Sequence, residues 1–234
     1  RQPNSKRGWM LSTNASLLER IAALPEPLRT EAIELIPRGE RATYLTKWRG
    51  FAARANQLRP GTPGSSNPRT DWRYWLLQAG RGAGKTRTGA ETVREWEAEG
   101  KRLIHLIAPT ADDARNVMVE GPGGILSCYP ENERPFYEPS KRRLTWPSGA
   151  MARTFSSEEP ERLRGPQCEC VWGDEIAAWK PGIDGRKALD TWDNMAFGLR
   201  LGLDPRGVFT STPKPVPLFL RVVKDPTTVV TRGS

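Results

Sequence analysis

The stretch LLQAGRGAGKTRTGAE, Leu76 to Glu91, sets four glycines, two arginines and a lysine between an apolar run and a run with helical spacing. Gly84, Lys85 and Thr86 end it as the last residues of a phosphate-binding loop, which belongs after a strand and at the opening of a helix. Glycines let successive backbone N–H groups converge on phosphate oxygens, and the helix N-terminus adds the positive end of its dipole. In such a loop Gly80, Arg81, Gly82, Ala83 and Gly84 line the nucleotide phosphates. Lys85 reaches the β and γ phosphates, and the Thr86 hydroxyl binds Mg²⁺. Ala79 stands where the pattern G-x-x-x-x-G-K-[ST] has its first glycine, so Gly80 and Gly82 are expected to carry the turn. The alternative is a glycine-rich turn before an ordinary helix.

Hydrolysis of a nucleotide needs acids as well, and VWGDE, Val171 to Glu175, supplies two at the end of an apolar run. Asp174 is placed to serve the metal, and Glu175 to orient or deprotonate the water that attacks the γ-phosphate. An acidic turn at a strand end is the plainer reading of the same residues. The only histidine, His105, lies inside RLIHLIAP and reads as a strand residue. Cys128, Cys168 and Cys170 are odd in number, and one residue between the last two is too close for the usual zinc spacing. They read as reduced thiols, with Cys170 buried in a strand.

Positioning these groups takes alternating strands and helices. WRYWLLQA reads as a buried strand, KTRTGAETVREWEAEG as a helix ending at Gly100, and KRLIHLIAP as a second strand. DDARNVMVEG is a short helix, and RRLTWPSGAMARTFSS a hairpin turning at Pro147, Ser148 and Gly149. CECVWGDE is a further strand, TWDNMAFGLRLG a helix and RGVFTSTP a last core strand. The alternation predicts an α/β fold with a mostly parallel central sheet flanked by helices. Upstream, NASLLERIAAL, LPEPLRTEAIELIPRGE and ATYLTKWRGFAARANQL read as three helices, and RPGTPGSSNPRTD as a loop. The division expected is an N-terminal helical subregion over residues 1–60 and a core over 61–234.

With 234 residues the chain can bury a substantial core, and its net charge of +9 fits an acidic polymer as partner or simply a basic surface. No stretch approaches the roughly 20 apolar residues of a membrane helix, and RQPNSKRGWM lacks a signal-peptide core. A soluble, intracellular protein without a membrane role is expected.

Taken in order, ARANQL, DWRYWLLQAGRGAGKTRTGAE, SSEEPERLRGPQCECVWGDEIAAWK and FTSTPKP resemble the ATPase domain of large terminase subunits, the DNA-packaging motors of tailed bacteriophages. The resemblance runs from about Ala53 to Pro215 and implies a P-loop NTPase fold that hydrolyses ATP with Mg²⁺. It implies an adenine-side role for Gln57, for which a solvated helix-end glutamine is the alternative. Arg81 becomes the extra arginine of the loop. Thr210, Ser211 and Thr212 become a coupling motif at the end of the strand next to the P-loop strand. Arg164 in RLRGP resembles the arginine that such motors insert into a neighbouring subunit's site, with Arg162 in reserve. The competing view pairs Arg162 with Glu158 and Arg164 with Glu161 as helix-surface ion pairs.

The partners implied are double-stranded DNA, the portal protein, the small terminase subunit and further copies in a homo-oligomeric ring, in the host cell cytoplasm. The isolated chain is expected to be monomeric. DNA gripped by its phosphates would involve lysines and arginines, of which Lys141, Arg142 and Arg143 form the densest cluster. A charged hairpin edge that discourages strand pairing is the other reading of that cluster. Large terminases also carry a C-terminal nuclease domain, whereas this sequence ends at TTVVTRGS without an acid cluster, so no DNA cleavage is expected of it. Two other functions share parts of the pattern: a helicase-like nucleic-acid translocase, and a non-catalytic nucleotide-binding scaffold module.

Overall fold

Five consecutive buried residues, Tyr74–Gln78, make strand β1, and they lack polar alternation because the sheet is covered on both faces. The computed structural model describes residues 53–233 together with Leu28. The first expected helix, the second apart from Leu28, and most of the third therefore lie outside the described residues. Where that third helix was expected to end, Ala55–Gln57 forms a single 3₁₀ turn. Arg54–Ser234 is one compact unit, so the expected boundary at residue 60 falls within it.

After β1 the loop enters helix α1 (Lys85–Ala98), which Gly100 closes with φ 91°. Strand β2 (Leu103–Ala108) leads into α2 (Ala111–Asp113), which Thr110 caps by accepting from the Asp113 amide. The helix then widens into a π segment, Ala114–Val119. A single turn, α3 (Ile125–Cys128), precedes β3 (Phe136–Glu138), β4 (Arg143–Thr145), β5 (Met151–Ser156) and β6 (Cys170–Gly173). Then come α4 (Lys187–Gly198), β7 (Arg206–Ser211), α5 (Pro217–Lys224) and β8 (Thr228–Arg232).

The eight strands form one sheet in the order β3-β4-β5-β2-β6-β7-β1-β8. From β5 to β8 all neighbours are parallel, and at the other end only the β3–β4 and β4–β5 pairs are antiparallel, so β4 alone is reversed. The expected α/β core with a mostly parallel sheet is what the chain forms. Successive residues of each strand face opposite layers. Trp75, Leu106, Trp172 and Val208 pack with Val93 and Trp96 of α1 and Met118 of the π segment. Leu76, Ile107, Val171 and Phe209 pack with Trp192 and Met195 of α4 and Leu218 and Val222 of α5.

One close fit and one strand register place the site. Gly89 of α1 lies so near β6 that an added Cβ would sit 2.1 Å from the Trp172 ring. Strand β7 lies between β1 and β6, with Gln78 level with Ser211 and Gly173 level with Phe209. The ends of these three strands thus bring the glycine loop, the two acids and Thr210–Thr212 to one rim of the sheet.

Candidate active site

The loop between β1 and α1 gets its shape from Gly82 and Gly84, at φ 76° and 73°, where glycine adopts the left-handed region without strain. This corrects the expectation that Gly80 shares the turn with Gly82: Gly80 is not in that region, and Gly84, as N-cap of α1, takes the second position. Ala79 fits where a glycine is usual, because its amide continues the ladder to the Ser211 carbonyl at 3.1 Å. Its side chain is buried, leaving the loop side to the residues that follow. Gly80 and Arg81 are exposed at the tip, Ala83 is buried and Thr86 is half-buried on the first turn of α1.

Lys85 is buried, and its ammonium sits between the Gly80 carbonyl at 2.8 Å, the Ala79 carbonyl at 3.0 Å and the Glu175 carboxylate at 3.0 Å. A buried ammonium needs such acceptors. Loop lysine and strand-end acid, 90 positions apart in the chain, therefore meet directly.

Glu175 reaches that position through an unusual backbone, φ 47° and ψ 52°, which turns the chain out of β6 into a 3₁₀ turn at Ile176–Ala178. Its other carboxylate oxygen accepts from the Thr212 amide at 2.9 Å, and the Thr212 hydroxyl adds a contact of 3.3 Å to Oε1. The Glu175 amide in turn donates to the Thr210 hydroxyl oxygen at 3.3 Å. Thr210 donates a short hydrogen bond to the Asp174 carboxylate. Ser211 faces away from the acids: its hydroxyl accepts from the Ala177 amide at 3.2 Å and donates to the Thr212 carbonyl at 3.0 Å. Of the expected coupling residues, two thus hold the acids and the third braces the turn behind them.

Asp174 is 4 % exposed, and no cationic side chain among the described residues forms an ion pair with it. Burial, chiefly, and then the neighbouring Glu175 charge push its carboxyl up to about 6, against the pull of the Thr210 hydrogen bond and Lys85. A buried carboxylate with one oxygen held and no ion-paired cation suits a hard dication with oxygen ligands. Together with the Thr86 hydroxyl, this donor set fits Mg²⁺.

Residues 54–57 brace the loop from outside. Gln57 is buried rather than solvated; its amide nitrogen donates to the Ala83 carbonyl at 3.0 Å and its oxygen accepts from the Arg54 amide at 2.9 Å. Arg54, which the sequence motifs did not single out, donates to the same Ala83 carbonyl at 2.7 Å. Beyond β1, the Gly233 amide donates to the Gln78 carbonyl at 2.8 Å and Asn56 to the Arg232 carbonyl at 2.7 Å. The only cue to Arg54 was its place in ARANQL.

Other candidates lie apart from this cluster. Arg164 is 67 % exposed and pairs with Glu161 at 2.9 Å, as the surface ion-pair reading expects. Arg162 pairs with Glu159 at 2.9 Å, not with Glu158, whose carboxylate is taken by Lys180 at 2.8 Å. His105 is a buried strand residue, its pKa lowered to about 4 by desolvation first and Arg153 second. All three cysteines are buried free thiols, and burial pushes Cys128 and Cys170 up to about 12.

A glycine loop between β1 and α1, a buried lysine from it and acids two strands away define the class: an α/β P-loop nucleoside-triphosphatase fold. The family model for the terminase large subunit, T4likevirus-type, N-terminal, matches residues 76–231, and the chain belongs to that family. Among solved structures, the large terminase of a thermophilic bacteriophage in complex with ADP superposes with a TM-score of 0.54 at 14 % identity. That match covers 82 % of this chain and 44 % of the ADP-bound one. The large terminase ATPase domain of Thermus phage P74-26 gives 0.49 at 19 % identity over 70 % of this chain and 76 % of that one. The N-terminal domain of the DNA packaging ATPase from bacteriophage phi29 gives 0.49 at 15 % identity, over 70 % and 91 %. No curated protein matches the sequence.

Proposed function

We propose that this chain is the ATP-hydrolysing motor domain of a phage large terminase, driving double-stranded DNA into a procapsid in the host cell cytoplasm. The observation that carries the reading is the 3.0 Å meeting of Lys85 with Glu175, where the P-loop faces the strand-end acids. Family membership and the ADP-bound large terminase of similar fold support it. When ATP arrives, its phosphates take over the Lys85 ammonium from the loop carbonyls and Glu175. The amides of residues 80–84 bind the phosphate oxygens. Thr86 and Asp174 would hold Mg²⁺, which when bound offsets charge on the β and γ phosphates. Glu175, still held by Thr212, accepts a proton from the attacking water at the carboxylate oxygen that Lys85 has left. Arg164, inserted from a neighbour in a homo-oligomeric ring, offsets charge on the transferring phosphoryl group. In this assignment the portal protein and the small terminase subunit are the other partners, and the isolated chain is monomeric.

The test is turnover and nucleotide binding by the purified chain, with and without DNA and procapsids. Lys85→Ala is expected to lose both. Glu175→Gln is expected to bind ATP and hydrolyse it about 10² to 10⁴ times more slowly, the usual share of a general base. Unchanged ATP affinity in Lys85→Ala removes the P-loop assignment, and full turnover in Glu175→Gln removes Glu175 as base.

A further inference from the structure

At the antiparallel end of the sheet, on strands that do not adjoin β1, a pocket of about 340 Å³ is lined by Lys141, Arg142, Arg143, Arg153 and Arg162, with Phe155 at its wall. Five cations meet there, and two carboxylates serve four of them. Glu138 is shared by Lys141 and Arg143, each at 2.6 Å. Glu159 is shared by Arg142 at 2.7 Å and Arg162 at 2.9 Å. Arg153 is exposed and has no carboxylate partner among the described residues. Three positive charges are in excess.

The arrangement is costly without an anion. Arg143 stands directly opposite Arg153 in the β4–β5 pair, and like charges opposite one another destabilise a sheet. Arg142 holds a left-handed backbone, φ 51°, one of two non-glycine residues with positive φ among the described residues; the other is Glu175. Strain of this kind collects at functional sites. Edge protection does not account for the charges, because β4 is paired on both sides by β3 and β5, and β5 by β4 and β2. Arg153 also lines an adjacent cavity of about 190 Å³ with His105, which is 4 % exposed and whose Nδ1 has no hydrogen-bond partner among the described residues.

We propose that this arginine pocket binds the phosphate backbone of double-stranded DNA. Arginine forks match phosphate oxygens in pairs, and an excess of charge spread over two strands and a turn suits a repeating polyanion. Carboxylates shared by two cations each leave guanidinium N–H groups free for a further acceptor. The proposal rests on the motor reading and adds the place where that motor touches its track.

The experiment is fluorescence-anisotropy binding of labelled duplex DNA by the whole chain between about 50 and 200 mM salt, a range over which phosphate contacts show. The Arg143→Gln/Arg153→Gln double variant is compared with Arg186→Gln/Arg221→Gln, which removes the same charge elsewhere on the surface. The expected result is a slope of log affinity against log salt reduced by about 2 in the first variant, equally for unrelated DNA sequences, and little changed in the second. Arg153→Lys, which keeps the charge and the fold, is expected to keep the slope. ATP turnover of the variants without DNA is expected to match wild type. Unchanged DNA binding in the double variant, beside a wild type that binds, overturns the proposal and leaves the motor reading standing. Equal loss in the two double variants also overturns it, as does tighter binding of polyglutamate than of DNA through the same arginines. A wild type that binds no DNA, and hydrolyses no ATP even when assembled on procapsids, removes the motor reading too.

Discussion

Glu175 holds a backbone that costs a non-glycine residue about 1–3 kcal/mol, and the hydrogen bonds from Thr212 and the pairing with Lys85 are what hold it there. Beside it, Asp174 carries the opposite kind of burden, a charge without a paired counter-charge. Its carboxyl titrates near 6 in the folded chain and near 3.8 when unfolded, so the fold binds the proton more tightly. The protonated form therefore stabilises the fold fully below pH 3.8, and that stability is lost as pH rises through about 6. Asp174→Asn keeps an acceptor for Thr210 and removes the charge. It is expected to raise the stability of the nucleotide-free chain at pH 7 by on the order of 3 kcal/mol, with the gain vanishing below about pH 4. Urea midpoints of the two proteins at pH 4 and pH 7 check this, and a gain that is the same at both values refutes it. The same variant is expected to lose Mg²⁺-dependent nucleotide affinity. The residue types of this site were legible, since a phosphate loop and paired strand-end acids need only spacing. Which atoms they touch was not. Arg54 and Gln57 reach Ala83 across 29 and 26 positions, and a contact of that span leaves no periodic trace.

At the scale of elements, the P-loop and the acids are set relative to one another by the contact of α1 with β6. Gly89 allows it, because the Trp172 ring occupies the space where a side chain would start. Gly89→Ala gains about 1 kcal/mol in helix propensity. Against this, it forces α1 off a Trp172 ring that is completely buried, and overpacking costs about 1–3 kcal/mol. The fixed ring decides the sign: a net loss of stability is expected by urea denaturation, together with weaker ATP binding as Lys85 moves from Glu175. A variant as stable as wild type would show that α1 does not depend on this fit. Strands β1, β2, β6 and β7, helix α1 and the β4–β5 hairpin could be read from the sequence, because apolar runs bounded by turns report buried strands. Helix α4 was also legible, although it starts at Lys187 rather than Thr191. Strand β8 was missed: TTVVTR is short and β-branched, and only its pairing with β1 distinguishes it from a tail. Helix α5 was missed likewise, although Pro217 at its start and Leu218, Phe219 and Val222 on one face are the marks of such a helix. No local pattern announced the π segment after α2.

Across the whole molecule, the nucleotide rim and Arg164 are separate features of one chain. Arg164 and Glu161 are each 67 % exposed, and an exposed pair of this kind contributes about 0–1 kcal/mol, so releasing the arginine costs little. Within its own chain Arg164 makes no ion pair with Glu175, whose cation is Lys85. A finger that acts on a neighbour has these properties: it is exposed, weakly held and absent from its own site. Under the proposed assignment, Arg164→Ala keeps an intact site that receives an arginine but cannot donate one, whereas Glu175→Gln donates but cannot hydrolyse. Each alone is expected to be inactive. Mixed under the conditions in which the motor assembles on procapsids, they are expected to restore turnover, because some interfaces pair an intact Glu175 with an intact Arg164. The measurement is phosphate release across mixing ratios, with wild type in the same assembly as reference. Activity is expected to peak at intermediate ratios and vanish at both ends. No rescue at any ratio, beside an active wild type, assigns Arg164 to its surface pair with Glu161 and leaves the site without a donated arginine from this loop.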